Sequence, residues 1–572
     1  MDFETSSVGS GEFCGFRDSD IELSGNDCDS DIDASDISVS SVHTSDVSES
    51  EDSEFDEVDL NESVPQVSGA WSGSAGDAHC WSNKTTALKI EQFTEETGAI
   101  IRTSDRSQLG LFLQLFGENT FQVIVEQTNE YARRKMEQEM DPAWVPTSVN
   151  EMKAYFGLLI IMGIHNLPRM EMYWSADERL GVPGVNKVMT FRRFKKLEQY
   201  LHVADNSTDD GSDRLHKIRP LIDVANRTFL ESYKPRKDIA IDEAMVPFKG
   251  RCILKQYLPA KPTKWGMKVW CACESATGYL LQFSVYCGKK GSGTQHGLGH
   301  DVVMQLAAPF LGKYHHLYFD NFFSSVSLLA GLLREKTYAA ATVRRNRKDL
   351  PIAFKNKLKM KQGEHVVFQK EHLIATVWHD KRDVYMLSTN MSHTLDNVER
   401  WDRKSSVRSV VPCPAVVKLY NHCMGGVDRA DQMRGYYSTL KKCRKYWRYL
   451  LSFVFDSAIN NAFILFEQTT AMPSKRYSLL DYRLDLSEQL IAGFCSRKKA
   501  TPPQRKSKVV DPDNIHNHKL VKFEGRKKAC VACLKAKRRT PKGRCIDSSF
   551  GCDACQVNYC RDTCFPQHIG AK

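Results

Sequence analysis

Four aspartates occupy positions from which they could do chemistry. Asp242 ends the apolar run Ile239-Ala240-Ile241, and Asp320 follows Leu317-Tyr318-Phe319. A short acidic side chain at the end of a buried strand is presented at the rim of a sheet, where active sites commonly lie. Asp428 and Asp431 stand three residues apart in Gly425-Gly426-Val427-Asp428-Arg429-Ala430-Asp431-Gln432, which opens a predicted helix, so both fall on one helix face. Converging carboxylates are costly unless cations neutralise them, and such hard oxygen donors suit Mg²⁺ or Mn²⁺. Two ions roughly 3.5 to 4 Å apart would activate a water or a 3′-hydroxyl and stabilise the leaving oxygen of an in-line phosphodiester displacement. Spacing alone does not separate these four from the chain's other acids, because an aspartate after a strand is more often a turn or cap.

A second constellation closes the chain. Cys530-x2-Cys533-x18-Cys552-x2-Cys555-x4-Cys560-x3-Cys564-x3-His568 offers seven soft ligands, and two closed tetrahedral zinc sites need eight. His518 and Cys545 are the candidates for the last place. Seven of the 18 cysteines fall between Cys530 and Cys564 while the others are scattered, a pattern of structural zinc in a reducing compartment rather than of disulfides. Arg526, Lys527, Lys528, Lys535, Lys537, Arg538 and Arg539 surround these ligands. They fit binding to nucleic acid; a partner-binding module like RING or PHD fingers is the rival reading.

The elements that must position these groups follow from composition and periodicity. At 572 residues, 41% hydrophobic, the chain is long enough for three or four folded units. The net charge of +9 hides an asymmetry: the first 62 residues carry 20 of the 70 acids and one base, Arg17, which leaves 78 bases against 50 acids in the rest. Such a surplus attracts polyanions. Residues 1–91 hold too little apolar surface to offset the entropy of ordering and read as an acidic tail. It is a solubilising tail or a competitor with DNA for the basic body, and Ser48-Glu49-Ser50-Glu51-Asp52-Ser53-Glu54 suits acid-directed kinases. Met1 to Ser10 does not resemble a signal peptide, and the most apolar run, Phe156 to Ile164, is nine residues long where a membrane span needs about 20; no span is expected.

Helical periodicity runs from about 92 to 235, with Phe121, Ile124, Val125 and Thr128 on one face and a capping box over Ser148 to Glu151. Thr190 is placed to cap a helix with Phe191, Phe194 and Leu201 inward and Arg192, Arg193, Lys195 and Lys196 outward. Strand-like runs follow at Ile239–Ile241, Lys268–Cys273, Tyr279–Val285 and His316–Phe319, with Glu274-Ser275-Ala276-Thr277-Gly278 as a hairpin turn. A further strand block spans 346 to 410, and helix returns from Met433 to about Phe466 beside the basic cluster Lys441, Lys442, Arg444 and Lys445.

Local words around the aspartates carry more than their spacing. Asp242-Glu243-Ala244-Met245-Val246-Pro247-Phe248-Lys249-Gly250-Arg251, Gln256-Tyr257-Leu258-Pro259-Ala260-Lys261-Pro262, Lys264-Trp265-Gly266-Met267-Lys268, Asp320-Asn321-Phe322-Phe323-Ser324-Ser325 and Gly425 to Asp431 resemble, in that order, the signature segments of the piggyBac transposases and their domesticated relatives. The resemblance extends from about residue 92 to the carboxyl end. It implies an α+β multi-domain chain with a helical dimerisation and DNA-binding domain in two segments, 92–236 and 438–490; an RNase H-like core in two segments, 237–345 and 411–437; a β insertion, 346–410; and a cysteine-rich zinc domain, 515–572; composition adds the disordered acidic tail, 1–91, and a basic linker, 491–514.

By the same resemblance Asp242, Asp320 and Asp428 are the expected catalytic triad binding two Mg²⁺ or Mn²⁺, with Asp431 a further family aspartate near the metals. His518 is the favoured eighth zinc ligand, completing two structural Zn²⁺. Arg344, Arg345, Arg347 and Lys348 look like the family's basic stretch near DNA, and Lys441, Lys442, Arg444 and Lys445 are candidate phosphate contacts. The implied activity is cut-and-paste transposition of double-stranded DNA by a homodimer acting at terminal inverted repeats and TTAA targets. A domesticated DNA-binding protein without cutting activity is the alternative. Arg497-Lys498-Lys499 and Arg505-Lys506-Ser507-Lys508 in the linker are a candidate nuclear import signal, and the nucleus is the expected compartment.

Overall fold

The computed structural model describes residues 81–570 apart from 260, 262, 289–295, 357, 403–406, 470–475 and 497–517. It divides into two units, residues 1–497 and 498–572. Residues 1–80 of the acidic tail, the import-signal segment 497–508, and Ala260 and Pro262 of the second signature word lie outside the described residues.

Helices open the larger unit: α1 (Gln108–Phe116), α2 (Thr120–Gln138), α3 (Val149–Ile164), α4 (Phe191–Tyr200) and α5 (Arg219–Glu231). Ser107 caps α1 by accepting the Gly110 N–H at 3.1 Å, and Thr190 caps α4 by accepting that of Arg193 at 3.3 Å, each satisfying a donor that the first turn leaves orphaned. The predicted α2 face is buried at Phe121, Ile124, Val125 and Thr128. Two expectations are corrected. Ser148 accepts the Glu151 N–H, but the Glu151 carboxylate turns instead to Arg193, whose Nε and Nη2 donate at 2.8 and 2.5 Å. Of the four bases expected to face solvent on α4, Arg193 and also Lys196, paired with Asp141 at 2.5 Å, serve internal ion pairs; Arg192 and Lys195 are exposed.

The sheet comprises β1 (Asp238–Pro247), β2 (Lys255–Tyr257), β3 (Trp265–Glu274), β4 (Leu280–Val285), β5 (His316–Phe319), β6 (Tyr338–Thr342), β7 (His365–Lys370), β8 (Leu373–His379) and β9 (Asp383–Ser388). Its order is β2-β3-β1-β5-β6-β9-β8-β7, with β4 on β3. β1, β5 and β6 run parallel, and the other pairings are antiparallel. The predicted hairpin between β3 and β4 forms, with Gly278 at φ +76°, a backbone conformation that glycine adopts without strain. The strands expected in a separate insertion do not stand apart: β9 pairs with β6 through Met386 and Thr342, so β7 to β9 extend the central sheet. The hairpin Leu395–Asp402 with Val407–Pro414 alone forms its own two-stranded sheet there. Residues 81–91, placed by composition in the tail, run along this body: Trp81 Nε1 donates to the Asp349 carbonyl at 2.8 Å, and Ser82 bridges Gln369 on β7.

After the sheet come α6 (Ala415–Cys423), α7 (Gly426–Tyr436), α8 (Tyr446–Thr469) and α9 (Leu479–Ile491). α8 rejoins the first helices: Phe455 packs edge-on against Phe112, Phe116 and Phe156 with centroids 4.9 to 5.5 Å apart, so one aromatic core unites segments three hundred residues apart. α8 is long and apolar enough to cross a membrane by length and composition, but 89% of its most apolar window is buried within the fold, as for a core helix.

Candidate active site

Parallel register builds the site. Ile241 pairs with Phe319 across β1 and β5, so Asp242 and Asp320 each stand one residue beyond that pair, on chains about 4.8 Å apart. β5 ends there while β1 continues to Pro247, which leaves the loop after Asp320 to fold back beside β1. That loop is tied down locally. Asp320 Oδ1 accepts the Phe322 N–H at 2.8 Å, Phe323 is buried, and Ser325 caps the following helix by accepting the Leu328 N–H at 3.1 Å. The first turn of α7 abuts β1, where a side chain at Gly426 would meet the Ala240 Cβ at 3.1 Å and the Glu274 carbonyl at 3.0 Å, closer than ordinary contact. Two residues on, Asp428 stands in the same turn and is exposed.

Asp242 and Asp320 influence each other electrostatically. Burial first, then the charge of Glu243, with Asp320 adding to it, pushes the Asp242 carboxyl up to about 7, and burial raises Asp320 too. Lys261 is within electrostatic reach of Asp242 and Asp428, and Tyr420 on α6 within reach of all three aspartates. Burial disfavours the charged form of Asp242 and Asp320, whereas Asp428 is exposed; carboxylates are the hard-oxygen donors that Mg²⁺ or Mn²⁺ takes. Among the described residues, the only sets of three or more metal-ligating atoms within 4.8 Å of one another are two Cys/His groups. The aspartates are therefore spread more widely than a one-ion cage. Asp431, on the same face of α7, pairs with Arg434, whose guanidinium lies 4.4 Å over the Phe453 ring.

Sequence reasoning left three neighbours without a role. Lys261 Nζ lies 3.2 Å and Lys268 Nζ 4.0 Å from the Glu243 carboxylate, and Tyr420 faces the aspartates. Both lysines and Glu243 sit inside the signature words, which was the available signal; nothing local marks Tyr420.

The candidate DNA contacts divide. Arg344 Nε donates to Asn321 Oδ1 at 3.1 Å, and Arg347 Nη2 to the Asn321 and Phe322 carbonyls at 3.1 and 2.9 Å, so both brace the Asp320 loop. Arg345 and Lys348 are exposed. In the second cluster Lys442 and Arg444 are exposed, whereas Lys441 donates to the Met162 carbonyl at 2.8 Å and Lys445 to that of Gln199 at 3.2 Å. The expectation of four phosphate contacts there is corrected: Lys441 and Lys445 hold the helices together.

In the smaller unit all eight expected ligands gather in two sets, His518 with Cys552, Cys555 and His568, and Cys530 with Cys533, Cys560 and Cys564. Cys533 Sγ lies 3.7 Å from Cys560 and 3.5 Å from Cys564, close to the roughly 3.7 Å edge of a tetrahedron built on 2.3 Å metal–sulfur bonds. Either set can hold one tetrahedral ion. His518 Nδ1 sits 3.1 Å from Cys552 Sγ, and Cys545 instead accepts from Arg539 at 2.6 Å, which decides between the two candidates for the eighth place. The sets interleave along the chain, so each pair from one set is enclosed by ligands of the other.

Comparisons with known proteins agree with this arrangement. The family model described as Transposase IS4 matches residues 107–463. Human PiggyBac transposable element-derived protein 3 is 29% identical over 465 residues, covering 78% of this chain and 73% of that protein. Human PiggyBac transposable element-derived protein 2 is 29% identical over 417 residues, covering 70% and 69%. A cryo-EM structure of a piggyBac transposase synaptic complex with hairpin DNA shares the fold at TM-score 0.63 and 24% identity, over 82% of this chain and all of that one. A family match across more than half its length, over the segments that carry the four aspartates, makes this chain a member of the piggyBac transposase family.

Proposed function

We propose that this protein is a DNA transposase that cuts and joins phosphodiesters at its own terminal inverted repeats and inserts at TTAA. The observation that carries the reading is the register of Ile241 with Phe319, which puts Asp242 and Asp320 on neighbouring strands, together with the packing of the first turn of α7, the helix of Asp428, on β1. A mixed sheet with a parallel centre and an antiparallel flank supports an RNase H-like core. Asp242, Asp320 and Asp428 would hold two divalent ions, and Asp431, through Arg434, would fix the helix that carries Asp428. Those ions supply Lewis acidity to the attacking and leaving oxygens. The chain's own part is to hold the carboxylates apart on rigid elements, to brace the Asp320 loop with Arg344 and Arg347, and to offer Arg345, Lys348, Lys442 and Arg444 to DNA phosphates. The carboxyl-terminal module would carry two structural zinc ions and use its surrounding bases to bind transposon-end DNA, in a homodimer working in the nucleus.

The test uses the purified full chain, Mn²⁺ and duplexes carrying the sequences that flank its own gene. Cleavage by the native chain that is lost in Asp242→Ala, Asp320→Ala and Asp428→Ala variants supports the reading; cleavage that survives all three together ends it. The second reading, a DNA-binding protein without cutting activity, is favoured by the names of the relatives, which are transposable element-derived proteins. Binding to those duplexes without cleavage by the native chain would select it.

A further inference from the structure

The cleft holds two ammonium groups that the metal chemistry does not need. Lys268 lies on β3, where Met245 is its cross-strand partner; Glu243, two residues from Met245, is its diagonal neighbour on the same face. Lys261 comes from the loop between β2 and β3 to the other oxygen of the same carboxylate, at 3.2 Å. Lys268 Nζ also lies 4.4 Å over the ring of Phe322, the residue whose N–H holds Asp320. Both side chains are largely withdrawn from solvent, at 33% and 13% exposure, and Glu243 at 14%. Glu243 is thus a fixed post that holds two positive charges at the edge of the aspartate cleft.

A cation beside metal-binding carboxylates weakens metal binding, so its presence calls for an anionic partner. Charge counting identifies one. Ionised Asp242, Glu243, Asp320 and Asp428 bring four negative charges, and Lys261 and Lys268 two positive. Two divalent ions would convert the net charge from minus two to plus two. That matches a phosphodiester under attack by an alkoxide, which carries two negative charges; without the lysines the loaded site would be neutral and offer it nothing. We propose that Lys261 and Lys268, positioned by Glu243, bind the non-bridging oxygens of the DNA phosphate that enters the aspartate cleft. This rests on the reading of the cleft as a phosphodiester site and names the residues that grip its substrate.

The test is binding of a short duplex of mixed sequence to the full chain in Ca²⁺, a hard cation that carboxylates hold and that leaves the zinc module loaded, titrated in salt and followed by anisotropy. Loss of a phosphate contact lowers the slope of log K against log salt by about 0.9. Lys261→Met and Lys268→Met are each expected to lower it by about that much, the double variant by about twice as much, and Lys261→Arg to keep the native slope. Mn²⁺ binding by calorimetry, with no DNA present, should be as tight as native or tighter in Lys261→Met. Native slopes in both methionine variants that melt as the native chain does would overturn the proposal and leave the lysines as counter-ions of Glu243. Absence of DNA binding by the native chain would instead overturn the functional reading beneath it. Should Lys268→Met fail to fold, the loop variant Lys261→Met decides alone.

Discussion

Arg483 Nη1 lies 3.1 Å from Asp456 Oδ1, with the two side chains 0% and 3% exposed. The guanidinium also donates to the Tyr437 carbonyl at 2.7 Å and to Asn460 Oδ1 at 3.2 Å, and Asp456 Oδ2 accepts the Thr439 N–H at 3.0 Å. Tyr437 immediately follows the helix of Asp428, so this pair fastens α7 to α8 and α9. Removing one partner strands a buried charge, which costs about 3 to 5 kcal/mol. Arg483→Leu is therefore expected to lower the urea midpoint severely, and Asp456→Asn by less, because the amide still accepts hydrogen bonds. Equal and small effects from both would contradict a fastening role.

The Asp242 carboxyl has a pH signature of known sign. Burial and the neighbouring Glu243 raise it to about 7 in the folded chain, against about 3.9 unfolded. A raised pKa gives stability that is full below about pH 4 and is lost as pH rises through about 7. A divalent ion that pairs with the ionised form reverses that loss. Added Mn²⁺ should thus raise the melting temperature more at about pH 8 than at about pH 5.5, and Asp242→Asn should flatten the difference. A Mn²⁺ effect independent of pH, or intact in Asp242→Asn, would place the ion elsewhere.

The aspartates drew attention through the signature words around them, since an apolar run that ends in Asp or a Gly-Gly start to a helix does not by itself single them out. The hairpin at Glu274 to Gly278 was equally readable, since turn chemistry is set by a few adjacent residues. What escaped depends on partners distant in sequence. Glu151 has the capping-box position, but Arg193 42 residues later takes its carboxylate. Strands β7 to β9 read correctly as strands, yet nothing in them says which sheet they join; the pairing of Met386 with Thr342 does. The basic cluster from Lys441 to Lys445 shows no helical or strand period, so only tertiary packing reveals that alternate members turn inward.

That division yields its own test. Lys442→Ala and Arg444→Ala are each expected to reduce the salt slope of DNA binding by about 1 and to leave the melting temperature nearly unchanged. Lys441→Ala removes a largely buried ammonium whose pKa burial lowers to about 8 and leaves the Met162 carbonyl with only the Tyr173 hydroxyl. It should destabilise the chain by about 1 to 3 kcal/mol without changing that slope. The reverse pattern, a lost slope in Lys441→Ala with full stability, would show that the lysine swings out to DNA.

The carboxyl-terminal module offers the last prediction, since its two ligand sets interleave. Cys552 lies on the short strand Phe550–Cys552, paired with Leu520–Lys522 just after His518, while Cys560 and Cys564 follow from the strand Val557–Asn558 that pairs with Gly551 and Cys552. Loss of an ion held by His518, Cys552, Cys555 and His568 would therefore loosen the strands that aim Cys560 and Cys564. Apparent binding free energies of structural zinc reach about 10 to 16 kcal/mol in small domains, more than so small a core can replace. The native chain should carry two zinc ions by metal analysis, and Cys545→Ser should keep both. Cys552→Ser should lose one and bind the second at least tenfold more weakly in a chelator titration, whereas independent sites would leave the second affinity unchanged. Chelation should melt this module while the unit of residues 81–496 keeps its unfolding transition, because its core is assembled from aromatic and sheet contacts that contain none of these ligands.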